Sequence, residues 1–169
     1  MDKRAGSTGN PKIRIYTFPS QSRGHIVTGV KHGCWAVRDN DMPDLPSKAS
    51  RIRPGDLGIF YCSRRAWSDG YLCHPFCFKC TPSDEEAERI QHLWEGGPWR
   101  LGFRFAPIGS GKGHVDEDMI KTLRTLREST KTWQTALRLS PVCAFNPAEI
   151  YAEDWERIVH ACSSERGIR

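Results

Sequence analysis

The chain has 169 residues, one domain's worth, which excludes a complete (β/α)₈ barrel at ~250 residues. Its 25 Lys and Arg against 20 Asp and Glu give a net charge of +5, which permits an anionic partner without requiring one. An odd and scattered set of seven cysteines, with no basic start leading into an apolar leader, points to an intracellular, cytoplasmic protein with reduced thiols; no run approaches the ~18 apolar residues of a membrane span.

Residues 1–10 are polar and contain Gly, Ser and Thr, so they read as a mobile lead-in to one domain over 11–169. Strand signals then follow in order. Ile13 and Ile15 alternate with charged residues, Cys34 to Val37 is short and apolar, and Leu57 to Cys62 is a dense apolar run opened by Pro54-Gly55-Asp56. Residues 71–81 and 99–106 supply two more. In the latter, Leu101, Phe103 and Phe105 share one face, with Arg100 and Arg104 on the other.

Three helices are expected among these strands. The first opens on a capping box, Ser83 three residues before Glu86, and continues through Ala87, Ile90, Leu93 and Trp94. The second is expected over 116–139, either unbroken or with a break before Trp133, with Ile120, Leu123, Thr130 and Leu137 near one face. The third takes Asn146 as N-cap and Pro147 as first helical residue, with Tyr151, Trp155, Ile158, Val159 and Cys162 at helical spacing. The pattern is that of an α+β domain with about five or six strands and three or more helices.

Lys121, Arg124, Arg127 and Lys131 recur every three or four positions of the second helix, either as a solvated face or as a stripe facing phosphates. Two other motifs lack what their chemistry needs. Cys73, Cys77 and Cys80 have the spacing of a cluster-binding triad, and His74 adds a zinc-compatible ligand. All four fall inside one strand-like run, where alternation sends Cys73 and Cys77 one way and His74 and Cys80 the other, so buried strand thiols are the better reading. Gly109-Ser110-Gly111-Lys112 lacks the first glycine and the hydroxyl of a phosphate-binding loop, since Ala106 and Gly113 stand there. No metal or other cofactor is expected.

The six tryptophans carry more information. Trp133 and Trp155 lie on helix faces and read as core. Trp67, in a basic loop between two strands, is either a wedge into DNA or an ordinary loop residue. Trp35 follows Gly33-Cys34, and Trp94 and Trp99 bracket Glu95-Gly96-Gly97-Pro98. Packing is the ordinary role for such rings; contact with a flat ligand is the other.

Three stretches together resemble the EVE domain of the PUA-like superfamily: 34–40 (CWAVRDN), 52–63 (IRPGDLGIFYCS) and 138–141 (RLSP). The pair Trp94 and Trp99, followed by Phe103 and Phe105, is similar to the related YTH domain. The resemblance spans roughly residues 13–151 and implies a twisted, partly closed β-barrel flanked by helices, acting as a non-enzymatic reader of modified bases. It implies Trp35, Trp94 and Trp99 as cage walls and Asn40, Ser63 and Ser140 as polar groups for the base edge. Arg100, Arg104, Lys121, Arg124, Arg127 and Lys131 are then candidates for flanking phosphates. The expected target is 6-methyladenine or 5-methylcytosine in DNA, with RNA as an alternative, and the expected partner is a nuclease or NTPase domain or subunit of a modification-dependent restriction system. The rival expectations are a PUA-like RNA-binding module and a metal-independent ribonuclease.

Overall fold

A computed structural model describes residues 11–20, 22–37, 50–63, 70–97, 99, 101–139 and 145–164. The strands are β1 (Lys12–Ser20), β2 (Cys34–Val37), β3 (Leu57–Cys62), β4 (Tyr71–Cys80), β5 (Leu101–Pro107), β6 (Val115–Asp116) and β7 (Ala148–Tyr151). The helices are α1 (Arg23–His32), α2 (Asp84–Gln91), α3 (Glu117–Thr122), α4 (Arg124–Arg127), α5 (Trp133–Ala136) and α6 (Ala152–Ser163).

All the strands join one mixed sheet in the order β2-β5-β4-β3-β1-β7, with β6 against β4. β1 and β3 run parallel, and the other pairs are antiparallel. The sheet is not closed into a barrel; β2 and β7 form its two ends. The expected α+β architecture is present, with seven strands among the described residues where five or six were expected.

The dense apolar run of β3 has a simple cause: both faces of the sheet's centre are covered. Along β1 and β3, Ile15, Ile59 and Tyr61 point into an aliphatic core with Leu72, Ile120, Leu123, Leu137, Ile150 and Ile158. The alternate residues Tyr16, Phe18, Phe60 and Cys62 point into an aromatic core with Trp35, Phe76, Phe78, Phe103 and Phe105. Helices α1 and α2 contribute Ile26 and Ile90 to the aromatic side, and α6 contributes Trp155, Ile158 and Cys162 to the aliphatic side.

Helix α2 has the complete capping box foreseen at Ser83 and Glu86. The long second helix does not form. Leu123 takes an extended conformation (φ −63°, ψ 138°) and divides α3 from α4. The break is stabilised from α6: Asp154, 1% exposed, accepts the backbone N–H of Arg124 (3.0 Å) and Thr125 (2.8 Å) and the Thr125 hydroxyl (2.6 Å). The N–H groups at the start of α4 thus receive their cap from another helix. The third helix also starts later than expected. The segment after Asn146-Pro147 pairs with β1 as β7, satisfying its backbone in the sheet, and the helix begins at Ala152.

Candidate nucleic-acid interface

Helix α1, which the sequence reading did not anticipate, positions the aromatic site. Ser22 caps its start by accepting the His25 N–H, and Gly33 ends it in the left-handed conformation. The chain then enters β2, which sets Trp35 back against the helix. The ring rests on Gly29: a Cβ there would lie 2.8 Å from Trp35 Cε3. On its other sides Trp35 meets Phe60 at 4.5 Å and Trp94 at 5.4 Å between centroids.

Trp94 is fixed to the first turn of α1 by its indole N–H, which donates to the His25 carbonyl at 3.0 Å. Trp99 donates its indole N–H to the Trp94 carbonyl (3.1 Å) and the Glu95 carbonyl (3.3 Å), and packs edge-on against the His25 ring. Trp94 and Trp99 lie 6.2 Å apart with their planes at 64°. The three tryptophans thus form one cluster, with Trp35 7% and Trp94 8% exposed. It is a closed cluster. A base between two parallel rings needs about 7 Å, twice the ~3.5 Å contact distance, whereas here the rings meet edge to face.

Of the polar candidates, Ser63 stands at the carboxyl end of β3, where its N–H donates to the Ser20 carbonyl at 2.9 Å. Among the described residues its buried hydroxyl has no hydrogen-bond partner. Ser20 Oγ donates to the Ser22 carbonyl at 3.0 Å, so this strand end leads directly into the N-terminus of α1. Asn40, Ser140, Arg100 and Trp67 lie outside the described residues.

The phosphate candidates do not form one stripe, because the helix that would align them is divided. Lys121 pairs with Glu117 at 2.8 Å. Arg124 pairs with Glu128 (2.8 Å) and Glu153 (3.1 Å) and covers the Tyr151 ring. Those hydrogen bonds hold its pKa above the ordinary arginine value, while Arg124 and the Tyr151 hydroxyl hold the Glu128 carboxyl below the usual carboxylate range. Arg104 is ion-paired with Glu86 of α2. Arg127 is exposed, and Lys131 lines a cleft of about 470 Å³ with Lys12, Arg14 and Arg138. Sequence reading did not single out Arg14 and Arg138 for phosphates, because β1 and the segment after α5 are far apart in the chain and meet only in the fold.

The remaining motifs have structural roles. The loop at Gly109–Lys112 joins β5 to β6, tied to the end of α6 by Ser110 Oγ donating to the Ser163 carbonyl at 2.8 Å. His74 occupies a bulge in β4 with φ 49°, its ring beside Gly111; burial, then the nearby Arg23, pushes its pKa down. Cys73 is buried as expected, whereas Cys77 is half-buried and Cys80 is exposed, because a second irregularity after Phe78 carries the strand end out of the core. Burial pushes the Cys73 thiol far up, with Cys162 and Cys62 adding to it, and raises Cys162 to about 12. Among the described residues no group of three or more His, Cys, Asp or Glu could hold a metal ion, and no helix is long and apolar enough to cross a membrane.

No protein-family model matches the chain, and no curated protein matches it by sequence. Its fold does match solved structures. A hypothetical protein from Leishmania major superposes with a TM-score of 0.52 at 14% identity, covering 89% of this chain and 94% of the other. The YTH domain of Zygosaccharomyces rouxii MRB1, solved in complex with N6-methyladenosine RNA, gives 0.51 at 16% identity over 92% and 90%. Human THYN1, solved with 5-methylcytosine-containing DNA, gives 0.49 at 12% over 92% and 100%. The chain therefore shares the α+β fold of the YTH domain, in agreement with the resemblance in its motifs.

Proposed function

We propose that this chain is a non-enzymatic reader that takes one methylated base of a nucleic acid into the cluster of Trp35, Trp94 and Trp99. The observation that carries the reading is the convergence of these three rings beside α1, in a fold shared with a YTH domain solved with N6-methyladenosine RNA. Taking a base out of its stack costs a few kcal/mol. Stacking on aromatic faces returns ~1–3 kcal/mol per base. Burying the methyl adds ~0.8 kcal/mol, a several-fold preference, so further discrimination requires a penalty on the unmethylated base. For 6-methyladenine, the second amine N–H that only the unmethylated base carries, left unpaired inside an aromatic site, supplies one.

Entry of the base requires the Trp94–Trp99 segment to move. Trp99 is the half-buried member, and Gly96, at φ 78°, provides a pivot between the two rings. Ser63 supports a polar contact to the base edge, since its buried hydroxyl has donor and acceptor capacity unused. Asn40 and Ser140 keep that role only as sequence proposals, as do Arg100 and Trp67 for the backbone and the wedge.

The preferred target is 6-methyladenine or 5-methylcytosine in DNA, read for a nuclease or NTPase partner in a restriction system. The likeness to a domain bound to methylated RNA favours RNA as the second reading. Fluorescence polarisation with matched DNA and RNA oligonucleotides, methylated and unmethylated, tests both. A preference for one methylated oligonucleotide, lost in Trp99→Ala, is the expected result; equal affinities for every matched pair would sink the reader. Cleavage of labelled RNA in the presence of chelator would favour the ribonuclease reading instead.

A further inference from the structure

The cleft between β1, β7 and the segment around α5 lies at the other end of β1 from Ser20 and the tryptophans. Lys12, Arg14, Lys131 and Arg138 line its walls, together with Glu128 and Glu149. Glu128 is already engaged by Arg124 and by the Tyr151 hydroxyl, at 2.8 and 2.5 Å. Lys12 lies over the Tyr151 ring at 5.0 Å. Glu149 is opposite Arg14 in the β1–β7 register. Among the described residues, Arg14, Lys131 and Arg138 make no ion pair, whereas Lys121, Arg124 and Arg104 all do. Four cations thus surround one cleft, three of them without an ion pair among the described residues.

Arg138 adds a second observation. It sits just past α5 with φ 53°, where its N–H bonds to the Thr135 carbonyl (3.2 Å) and the next N–H, of Leu139, to the Gln134 carbonyl (3.0 Å). This is the left-handed position that glycine ordinarily fills after a helix. An arginine there keeps a strained backbone that glycine would relax, a cost consistent with a task for its side chain.

We infer that this cleft is a second contact for the nucleic acid, holding phosphodiester groups on Arg14 and Arg138, with Lys131 and Lys12 adding charge. Guanidinium groups suit the role because their planar N–H fork pairs with two phosphate oxygens. The inference rests on the reader proposed above, which places the same polyanion at the far end of β1. Six residue steps separate Arg14 from Ser20, about 20 Å at ~3.3 Å per residue. Along a duplex at ~3.4 Å per base pair, that is about six nucleotides from the base being read. The cleft therefore contributes only to long oligonucleotides, and equally to methylated and unmethylated ones.

The test uses 16-nucleotide duplexes and single strands, each with and without a central methylated base, and a methylated trinucleotide. Binding is measured between 50 and 300 mM salt for the wild type, Arg14→Gln/Arg138→Gln and Arg14→Lys/Arg138→Lys. The glutamine pair is expected to weaken both forms of the 16-mer by the same factor, about tenfold at the lowest salt. It should also flatten the log–log salt slope by about 1.8 on duplex or about 1.4 on single strand, at ~0.9 and ~0.7 per phosphate lost. The lysine pair should keep the slope, and the trinucleotide should not distinguish the glutamine pair from wild type. An unaltered slope in the glutamine pair, or an equal loss on the trinucleotide, overturns the cleft. A wild type that binds both 16-mers alike, yet loses slope in the glutamine pair, overturns the reader and retains the cleft.

Discussion

Gly29→Ala sets two opposed effects against each other at the tryptophan cluster. Inside a helix the change gains ~0.8–1.0 kcal/mol from backbone propensity. Against it, the new Cβ would stand 2.8 Å from Trp35 Cε3, 3.2 Å from Cζ3 and 3.0 Å from the Cys34 carbonyl oxygen. None of these atoms yields easily. Cys34 is held in the β2–β5 ladder opposite Arg104, and the Trp35 ring is confined by Phe60 at 4.5 Å and Trp94 at 5.4 Å. Overpacking of a filled core costs ~1–3 kcal/mol, and contacts on backbone as well as ring place this site in the upper half of that range. The net result is a loss of about 1–2 kcal/mol, a fall in Tm of roughly 2–8 °C for a chain of this size. Thermal melting by circular dichroism, with tryptophan emission followed in parallel, reads both the loss and the displacement of the ring. A rise in Tm would show that helix propensity wins, and hence that Trp35 is not seated on Gly29.

Three further changes test other parts of the structure. Asp154→Ala leaves two backbone N–H groups and the Thr125 hydroxyl without their acceptor; denaturant unfolding should show a loss of about 2–4 kcal/mol, with Asp154→Asn losing less. Arg138→Gly relaxes the backbone at φ 53° and should raise stability by about 0.5–1 kcal/mol, so a lower Tm would contradict the strain. The raised thiols of Cys73 and Cys162 make the folded state hold protons that the unfolded chain releases. Their contribution is complete below pH ~9 and declines as pH rises toward 12, so melting temperatures should fall over that interval, less steeply in Cys162→Ala; exposed Cys80 should be alkylated in the native protein before either.

Where one element determined its own conformation, the sequence was sufficient. Ser83 and Glu86 lie within one helical turn, and their capping box formed as written. The alternation of Phe103 and Phe105 with Arg104 likewise gave a half-buried strand. Where distant groups decide, local pattern misled. Residues 116–139 have helical spacing, but Asp154, about thirty positions away, offers the N–H groups of Arg124 and Thr125 a better acceptor than an unbroken helix would. Asn146-Pro147 is a sound helix start until β1 presents its edge to the next four residues. At the site, the tryptophans were legible because they are rare and flank a glycine turn. Gly29 and His25 were not, since a glycine and a histidine in a weakly amphipathic segment carry no sign of the rings that will rest on them.

For the reader proposed above, the closed state of the cluster determines where affinity has to come from. Opening it forfeits the indole hydrogen bonds of Trp94 or Trp99, worth ~0.5–1.5 kcal/mol each, and edge-to-face contacts worth ~0.5–1.5 kcal/mol per pair. An incoming base returns ~1–3 kcal/mol by stacking, about what was lost, after a few kcal/mol have gone into extruding it. For an unmethylated base the cage is then close to neutral or unfavourable, and the methyl makes it several-fold better without making it tight. A cage of this kind selects without holding. The holding must be electrostatic and indifferent to methylation, and the arginines of the β1–β7 cleft lie far enough from the tryptophans to supply it without entering the discrimination. Affinity and selectivity should therefore separate by salt: raising ionic strength should lower binding to both oligonucleotides while their ratio stays constant, and a ratio that changes with salt would mean that the cations act at the base itself.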